Sequence, residues 1–399
     1  MAKPNFTLPN KPAIKSGSIL SYNYTDDFTF VPAPLTFNRD SSATRVNEKG
    51  LIETVGADQP RIDYLNDSNG ALLLEPSRTN SLLQSNQFDN WIDSVTSVTS
   101  GYLGLDGTNS AWLLTKTASS SANIRQNITF SGIHTFSVYL KKGTNTSAIL
   151  RSTGGNDARV EINLIDGTTS GAVNTTSVST ESMGNDWWRC SMTLNASSNT
   201  AVRIYPEAPL GGTTAGNIYM QYAQLEAGSY ATSYIPTAGS TVTRLGETAN
   251  NAGDVNVFNS EEGVLYAEIA ALADDGTNRV LTLSNGGYNN SVRIQYYQTS
   301  NQLEIRVVSS GTLVILQRFT INDTTLFNKI LVKYKLNDFA VWVNSSMVVS
   351  DTSGATPIGL SEISFDDGDG NYDFYGKVRN LQVFNKALTD RELEILTIQ

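Results

Sequence analysis

Histidine and cysteine are almost missing from this chain. Its 399 residues hold one of each, His134 and Cys190. That excludes a zinc site of the Cys/His kind within one chain and an intrachain disulfide. A Ser-His-Asp triad or a Cys–His pair would depend on His134 alone. Charge is scarce too, at 17% of residues against about 25% in an average globular domain. What charge there is leans acidic, with a net charge of −10 and a pI near 4.7, so general attraction to a phosphate backbone is not expected. No stretch approaches 18 apolar residues, so no membrane insertion is expected. Residues 1–24 hold no apolar core of a secretory signal.

What is abundant is Ser, Thr, Asn and Gly, a composition of strands joined by many turns. The length suits two or three domains. The fold class expected is all-β: two antiparallel β-sandwich (jelly-roll) domains preceded by an extended N-terminal arm. The arm is residues 1–35, punctuated by Pro4, Pro9, Pro12, Pro32 and Pro34 and carrying scattered apolar residues such as Phe6, Leu8, Phe28 and Phe30. Such a segment cannot bury a core of its own. It reads as an anchor along a neighbouring subunit or as a loose tail.

Residues 36–84 have another texture. Arg39, Arg45 and Arg61 sit among Asp40, Glu48 and Asp63. The mixture predicts solvated or salt-bridged pairs that fix an irregular segment; an anion site is the alternative. The pattern R-D-S-S-A-T-R-V-N from Arg39, then P-R-I-D-Y from Pro60, L-L-L-E-P-S-R-T-N from Leu72 and N-x-F-x-N-W ending at Trp91 resembles a module of tailed-bacteriophage virion proteins, namely tail fibres, head fibres, spikes and minor structural proteins. Several linked blocks in order make the resemblance fairly specific.

Residues 85–250 carry about eight short strand candidates with turns such as Asp106-Gly107, Asp166-Gly167 and Gly184-Asn185 between them, which suggests a sandwich or jelly roll. In His134–Leu140, Phe136, Val138 and Leu140 alternate with Thr135, Ser137 and Tyr139. That pattern predicts a half-buried antiparallel strand. The segments F-S-V-Y-L-K-K-G, D-W-W-R-C-S-M-T-L and Q-Y-A-Q-L-E-A-G-S-Y-A-T-S-Y-I-P-T are similar to a carbohydrate-binding-module-like jelly roll of phage proteins. The resemblance implies that fold without implying a retained sugar site.

Residues 251–399 hold ten further strand candidates. Val292, Ile294 and Tyr296 alternate with polar neighbours, as do Leu303, Ile305 and Val307, the pattern of a two-sheet sandwich. Thr389 with Glu392 predicts a capped terminal helix. The run from Phe374 to Leu393 resembles the C-terminal signature of the laminin-G-like/concanavalin-A-like fold. That fold serves lectins, enzymes and structural modules alike.

The densest acidic cluster is Asp366–Asp373, where Asp367, Asp369, Asn371 and Asp373 place oxygens at alternate positions, as calcium ligands are spaced. A solvated turn is the alternative, and the full EF-hand pattern fails. Asp274-Asp275-Gly276 reads the same way. Among the aromatics, Tyr288 and Asn289 in a Gly-Gly-Tyr-Asn-Asn loop, and Trp188 beside Trp187, are the candidates for contact with sugar; packing is the alternative for each. Cys190 and His134 read as buried or edge residues.

These readings converge on a non-enzymatic phage virion surface structural protein: a head or tail fibre, spike or decoration subunit anchored by its N-terminus. The partners implied are other capsid or tail proteins, reached through the arm, and further copies in a homotrimer, which follows from the resemblance. The expected place is the virion surface after assembly in the host cytoplasm. Two alternatives remain: a tail receptor-binding adhesin recognising host surface glycans, and a polysaccharide depolymerase, which needs a cleft with opposed carboxylates. No cofactor is required, and calcium is the one candidate.

Overall fold

The computed structural model describes residues 35–398, and nearly all of its regular structure is β. The arm expected over residues 1–35 lies outside the described residues except for Leu35. Among the described residues no helix is long and apolar enough to cross a membrane.

The first sandwich is one curled antiparallel sheet. Its order is Thr96–Tyr102, Ala111–Lys116, Gly216–Ala227, Asn123–Lys142, Trp187–Tyr205, Ser147–Gly154, Ala158–Asn163 and Thr169–Val173, with Ile92–Ser94 and Ser177–Gly184 added to the two longest strands. Those strands make the curl. Ile124–Asn127 pairs with Ala201–Ile204, the register shifts at Phe130 and Gly132, and His134–Lys141 then pairs with Trp187–Leu194. Such bulges bend a strand without ending it. Gly132 takes φ +82° there, a conformation open to glycine. Sequence periodicity reads these strands as four separate pieces, because a bulge breaks alternation as a turn does.

Ile124, Phe136, Val138, Leu140, Leu150, Met192, Leu194 and Ile204 share the core that the curl encloses. The half-buried strand expected at 134–140 is a correction. Thr135, Ser137 and Tyr139 are buried as well. Tyr139 joins Val46, Ile52, Trp187, Tyr222 and Tyr234 in a second apolar cluster, and Thr135 bonds Thr193 and the Gly228 carbonyl. Residues 36–84 and the closing segment lie over the face that alternation assigns to solvent.

The second sandwich has two sheets. One runs Ser346–Asp351, Phe339–Val343, Asn328–Lys335, Glu262–Ala271 and Gly376–Phe384. The other runs Thr312–Thr320, Gln302–Ser309, Ser291–Tyr296, Arg279–Ser284 and Glu362–Ser364. Each strand lies within two residues of its sequence expectation. Val292, Ile294, Leu303, Ile305 and Val307 point into the core against Leu265, Ile269, Ile330 and Val332. The helix Asp390–Thr397 begins at Thr389 with its capping box formed. It packs Leu393 and Leu396 beside Leu331 and Trp342 on the outer face of the first of these sheets.

Residues 36–84 bridge the two sandwiches. Ala71–Leu74 pairs with 376–378 of the second sandwich, and Arg61–Asp63 pairs with Ala71–Leu74. Arg78–Asn80 pairs with Val242–Arg244, and Thr36–Asn38 with Thr248–Asn250.

Candidate functional site

Two arginines of the bridge pair far from their sequence neighbours. Arg39 and Arg61 both reach Glu247. Arg39 Nη1 is 2.6 Å from Glu247 Oε1, and Arg61 Nε donates to the same oxygen at 2.8 Å. A second nitrogen of Arg61 reaches Glu247 Oε2 and lies 2.9 Å from Glu75 Oε2. Arg244 Nη1 lies 2.7 Å from that same Glu75 oxygen. Ser233 adds its N–H and its hydroxyl to Glu75 at 2.7 and 2.6 Å. Further guanidinium donors meet carbonyls of Ser41, Gly56, Thr44 and Pro76, while the buried Nε of Arg244 has no partner.

Burial alone would raise the Glu75 carboxyl. Arg244, Arg61 and Ser233 outweigh it and hold the carboxyl far below the usual range. Arg39 and Arg61 are thus salt-bridged, as one form of the expectation had it, but to partners far away in the sequence. Burial makes a charge seek full compensation, and Glu247 and Glu75 offer it inside, where Asp40 is exposed. Arg45 does pair locally, with Glu53 at 2.7 Å, and Asp63 pairs with Lys377 at 3.0 Å. Out of water and held by ion pairs from three stretches of chain, this cluster fastens chain to chain.

Tyr288 and Asn289 are both exposed and adjacent, at the rim of the five-stranded sheet. The Tyr288 ring lies 4.4 Å from the Arg293 guanidinium and 5.8 Å from that of Arg306, and Arg306 Nη1 donates to its hydroxyl at 2.7 Å. Arg293 and Arg306 stand directly opposite across strands, an unfavourable pairing of like charges that the ring separates. Glu304 accepts from Arg306 at 2.9 Å and also takes Arg318. The Asn289 carbonyl accepts the Gly311 N–H at 2.9 Å.

Trp188 belongs to the other sandwich and is not brought near Tyr288. It is half-buried against that core, with Nε1 donating to the Leu164 carbonyl at 3.2 Å. Trp187 is buried in the cluster with Tyr139.

The acidic loop closes on itself. Asp367 Oδ1 accepts the N–H groups of Asp369 and Asn371, both at 3.0 Å. Asp373 accepts the Tyr375 hydroxyl at 2.8 Å. Asp366 accepts from Gly368 and Asn250, each at 2.7 Å, and burial raises its carboxyl above the usual value. Among the described residues no three acidic, histidine or cysteine side chains converge as a metal-binding set. Of the four spaced residues Asp367, Asp369, Asn371 and Asp373, the carboxylates of Asp367 and Asp373 thus turn to separate partners within the loop. In the other acidic turn, Asp275 pairs with Arg279 at 2.9 Å.

Cys190 is buried, and burial pushes its thiol well up. The His134 ring lies 5.0 Å from that of Phe130, tilted by 55° to it, on the strand surface. Sequence reasoning missed Glu75, Glu247, Arg293 and Arg306. Glu75 stands inside the L-L-L-E-P block, where one acid ending an apolar run was the available signal.

The chain matches no protein-family model and no curated protein. Solved structures give weak likenesses. The CBM40 of the Ruminococcus gnavus IT-sialidase bound to α2,3-sialyllactose aligns at 13% identity and a TM-score of 0.31, over 37% of this chain and 92% of that one. Domain 4 of AbnA, a GH43 extracellular arabinanase from Geobacillus stearothermophilus in complex with arabinotriose, aligns at 11% and 0.32, over 43% and 83%. A heptameric SAP-like pentraxin from Limulus polyphemus aligns at 11% and 0.28, over 35% and 70%. At this level the functional reading rests on the chain's own residues.

Proposed function

We propose that this chain is a non-enzymatic structural protein of a tailed-phage particle: a fibre, spike or decoration subunit that displays two β-sandwiches on the virion surface. The observation that carries the reading is the buried cluster of Arg39, Arg61, Arg244, Glu75 and Glu247. Three of these five belong to the blocks that resemble the phage module, and they are spent on tying the bridge to residues 232–247 at the end of the first sandwich. A display unit needs that stiffness. In this reading the arm, residues 1–35, anchors the subunit to a capsid or tail protein, and three copies assemble in the host cytoplasm.

Immunogold electron microscopy of intact virions, with an antibody against residues 258–399, tests it. Label on particles is expected. Protein found only in the lysate, with no labelled particle, overturns it. Deletion of residues 1–35 is expected to leave a folded chain that no longer joins particles.

A second reading is favoured by one observation, the exposed Tyr288 and Asn289 braced by two arginines. An aromatic face held rigid at a rim beside amide groups suits the apolar face and hydroxyls of a sugar. That reading makes the chain an adhesin for host surface glycans, and binding on a glycan array tests it.

A further inference from the structure

A crevice of about 560 Å³ opens where the bridge and the two sandwiches meet. Its walls come from residues 44–75, from Tyr139, Glu181, Arg189 and the 230–234 segment of the first sandwich, and from 270–272, 325–327 and Lys377 with Arg379 of the second. That volume lies in the range of small-ligand sites, about 300–1,000 Å³.

Eight charged side chains line the crevice, four of each sign. Six are already matched. Arg45 pairs with Glu53, Lys377 with Asp63, Arg379 with Asp67, and Glu75 with Arg61 and Arg244. The other two are Glu181 and Arg189. They stand in register on adjacent antiparallel strands, yet neither forms an ion pair among the described residues. Arg189 is only 8% exposed. One of its Nη groups donates to the Thr232 carbonyl, its guanidinium lies 5.5 Å from the Tyr139 ring centre, and its Nε has no partner. Glu181 accepts one bond, from Asn66 Nδ2 at 3.1 Å, and burial raises its carboxyl above the usual value.

We infer that this crevice binds a neutral, hydroxyl-rich ligand, a mono- to trisaccharide, held between Glu181 and Arg189. The inference rests on the glycan-recognition reading and places the sugar away from Tyr288. A hydroxyl donates and accepts at once, so one diol answers both the carboxylate and the guanidinium. An anion would satisfy Arg189 and face Glu181, Asp63 and Glu75. A cation would meet the reverse. Four charges of each sign leave no net field to favour either. The ring of Tyr230 and the apolar lip of Leu326 and Phe327 supply the surface that a pyranose packs against.

The test is isothermal titration calorimetry of the full chain with glucose, galactose, N-acetylglucosamine and their di- and trisaccharides. Glucuronic acid and glucosamine serve as charged comparators, and a glycan array of the same chain runs beside it. Saturable binding of a neutral saccharide is expected. Glu181→Leu weakens it at least tenfold in a chain that circular dichroism shows to be still folded. Glu181→Gln, which still accepts and donates, weakens it less, and Tyr288→Ala leaves it intact. Binding that survives Glu181→Leu and is lost in Tyr288→Ala overturns the crevice and leaves the adhesin reading standing. Binding confined to the charged comparators overturns the ligand class. No binding of any saccharide, in calorimetry or on the array, overturns the inference and the adhesin reading together.

Discussion

Arg61 and Glu247, 186 residues apart in the chain, form a two-bond ion pair with no solvent exposure of either side chain. Arg39 approaches the same carboxylate from a third stretch of chain. Taking such charges out of water is costly, and only excellent geometry with every remaining donor satisfied offsets it. Here the carbonyls of Ser41, Gly56 and Thr44 take spare donors of Arg39 and Arg61, and only the Nε of the neighbouring Arg244 is left over. The result is a fastening that holds the bridge against 242–250.

Glu247→Gln should therefore be severe. It leaves two buried guanidiniums short of a carboxylate, and breaking a buried pair from one side costs about 3–5 kcal/mol. Chemical denaturation monitored by circular dichroism measures it. A loss below about 1 kcal/mol would show that Arg39 and Arg61 find compensation elsewhere.

The same cluster sets an acid limit. The folded Glu75 carboxyl lies far below its ordinary value of 4.5, held there by Arg244, Arg61 and Ser233 against the opposing effect of burial. A group depressed in the folded state lends stability that is full above its unfolded pKa and is lost as pH falls toward the folded one. Stability should thus decline steadily below about pH 4.5. Glu75→Gln should lower stability at pH 7 and flatten that acid slope. An acid slope identical in the variant and the parent would assign the decline to other carboxylates.

How far the sequence announced all this depends on the range of the interaction. Strand periodicity is local, so Val292, Ile294 and Tyr296 are legible as an inward row. What covers the outward row is not local. Thr135, Ser137 and Tyr139 read as a solvent face, because nothing near them reveals that Val46, Ile52 and Tyr234 will lie across them. The arginines fail for the same reason: Arg39 stands next to Asp40 and pairs 208 residues away. Tyr288 was legible because consecutive glycines and asparagines hold a loop outside the sheet.

Gly167 explains Trp188. It has φ +74°, and a Cβ there would lie 2.4 Å from the Trp188 ring. Gly167→Ala should cost about 1–3 kcal/mol through overpacking and should shift Trp188 off its bond to Leu164. A melting temperature equal to the parent's would mean that the indole is free to move, and would return Trp188 to the candidates for ligand contact.

Calcium should leave the melting temperature where it is. The carboxylates of 366–373 are turned toward Gly368, Asp369, Asn371, Asn250 and Tyr375, so a cation would have to break those bonds to gather ligands. Melting curves with millimolar calcium and with EDTA should superimpose; a rise of several degrees with calcium would show that the loop rearranges into a site.

Tyr288 separates two roles that a single alanine variant confuses. Its ring keeps Arg293 and Arg306 apart, and its hydroxyl accepts from Arg306. Tyr288→Phe loses only the hydrogen bond and should cost about 0.5–1.5 kcal/mol. Tyr288→Ala also removes the ring, and an exposed cation–π contact is worth about 0.5–1 kcal/mol. It leaves two guanidiniums facing across strands, so part of its deficit is repulsion. Repulsion at a surface is screened, and the screening length falls to about 3 Å in 1 M salt. The alanine deficit should therefore shrink in high salt, and the phenylalanine deficit should not. Adding Arg306→Gln to Tyr288→Ala should recover part of the loss at low salt. If both deficits are insensitive to salt, the ring contributes packing alone.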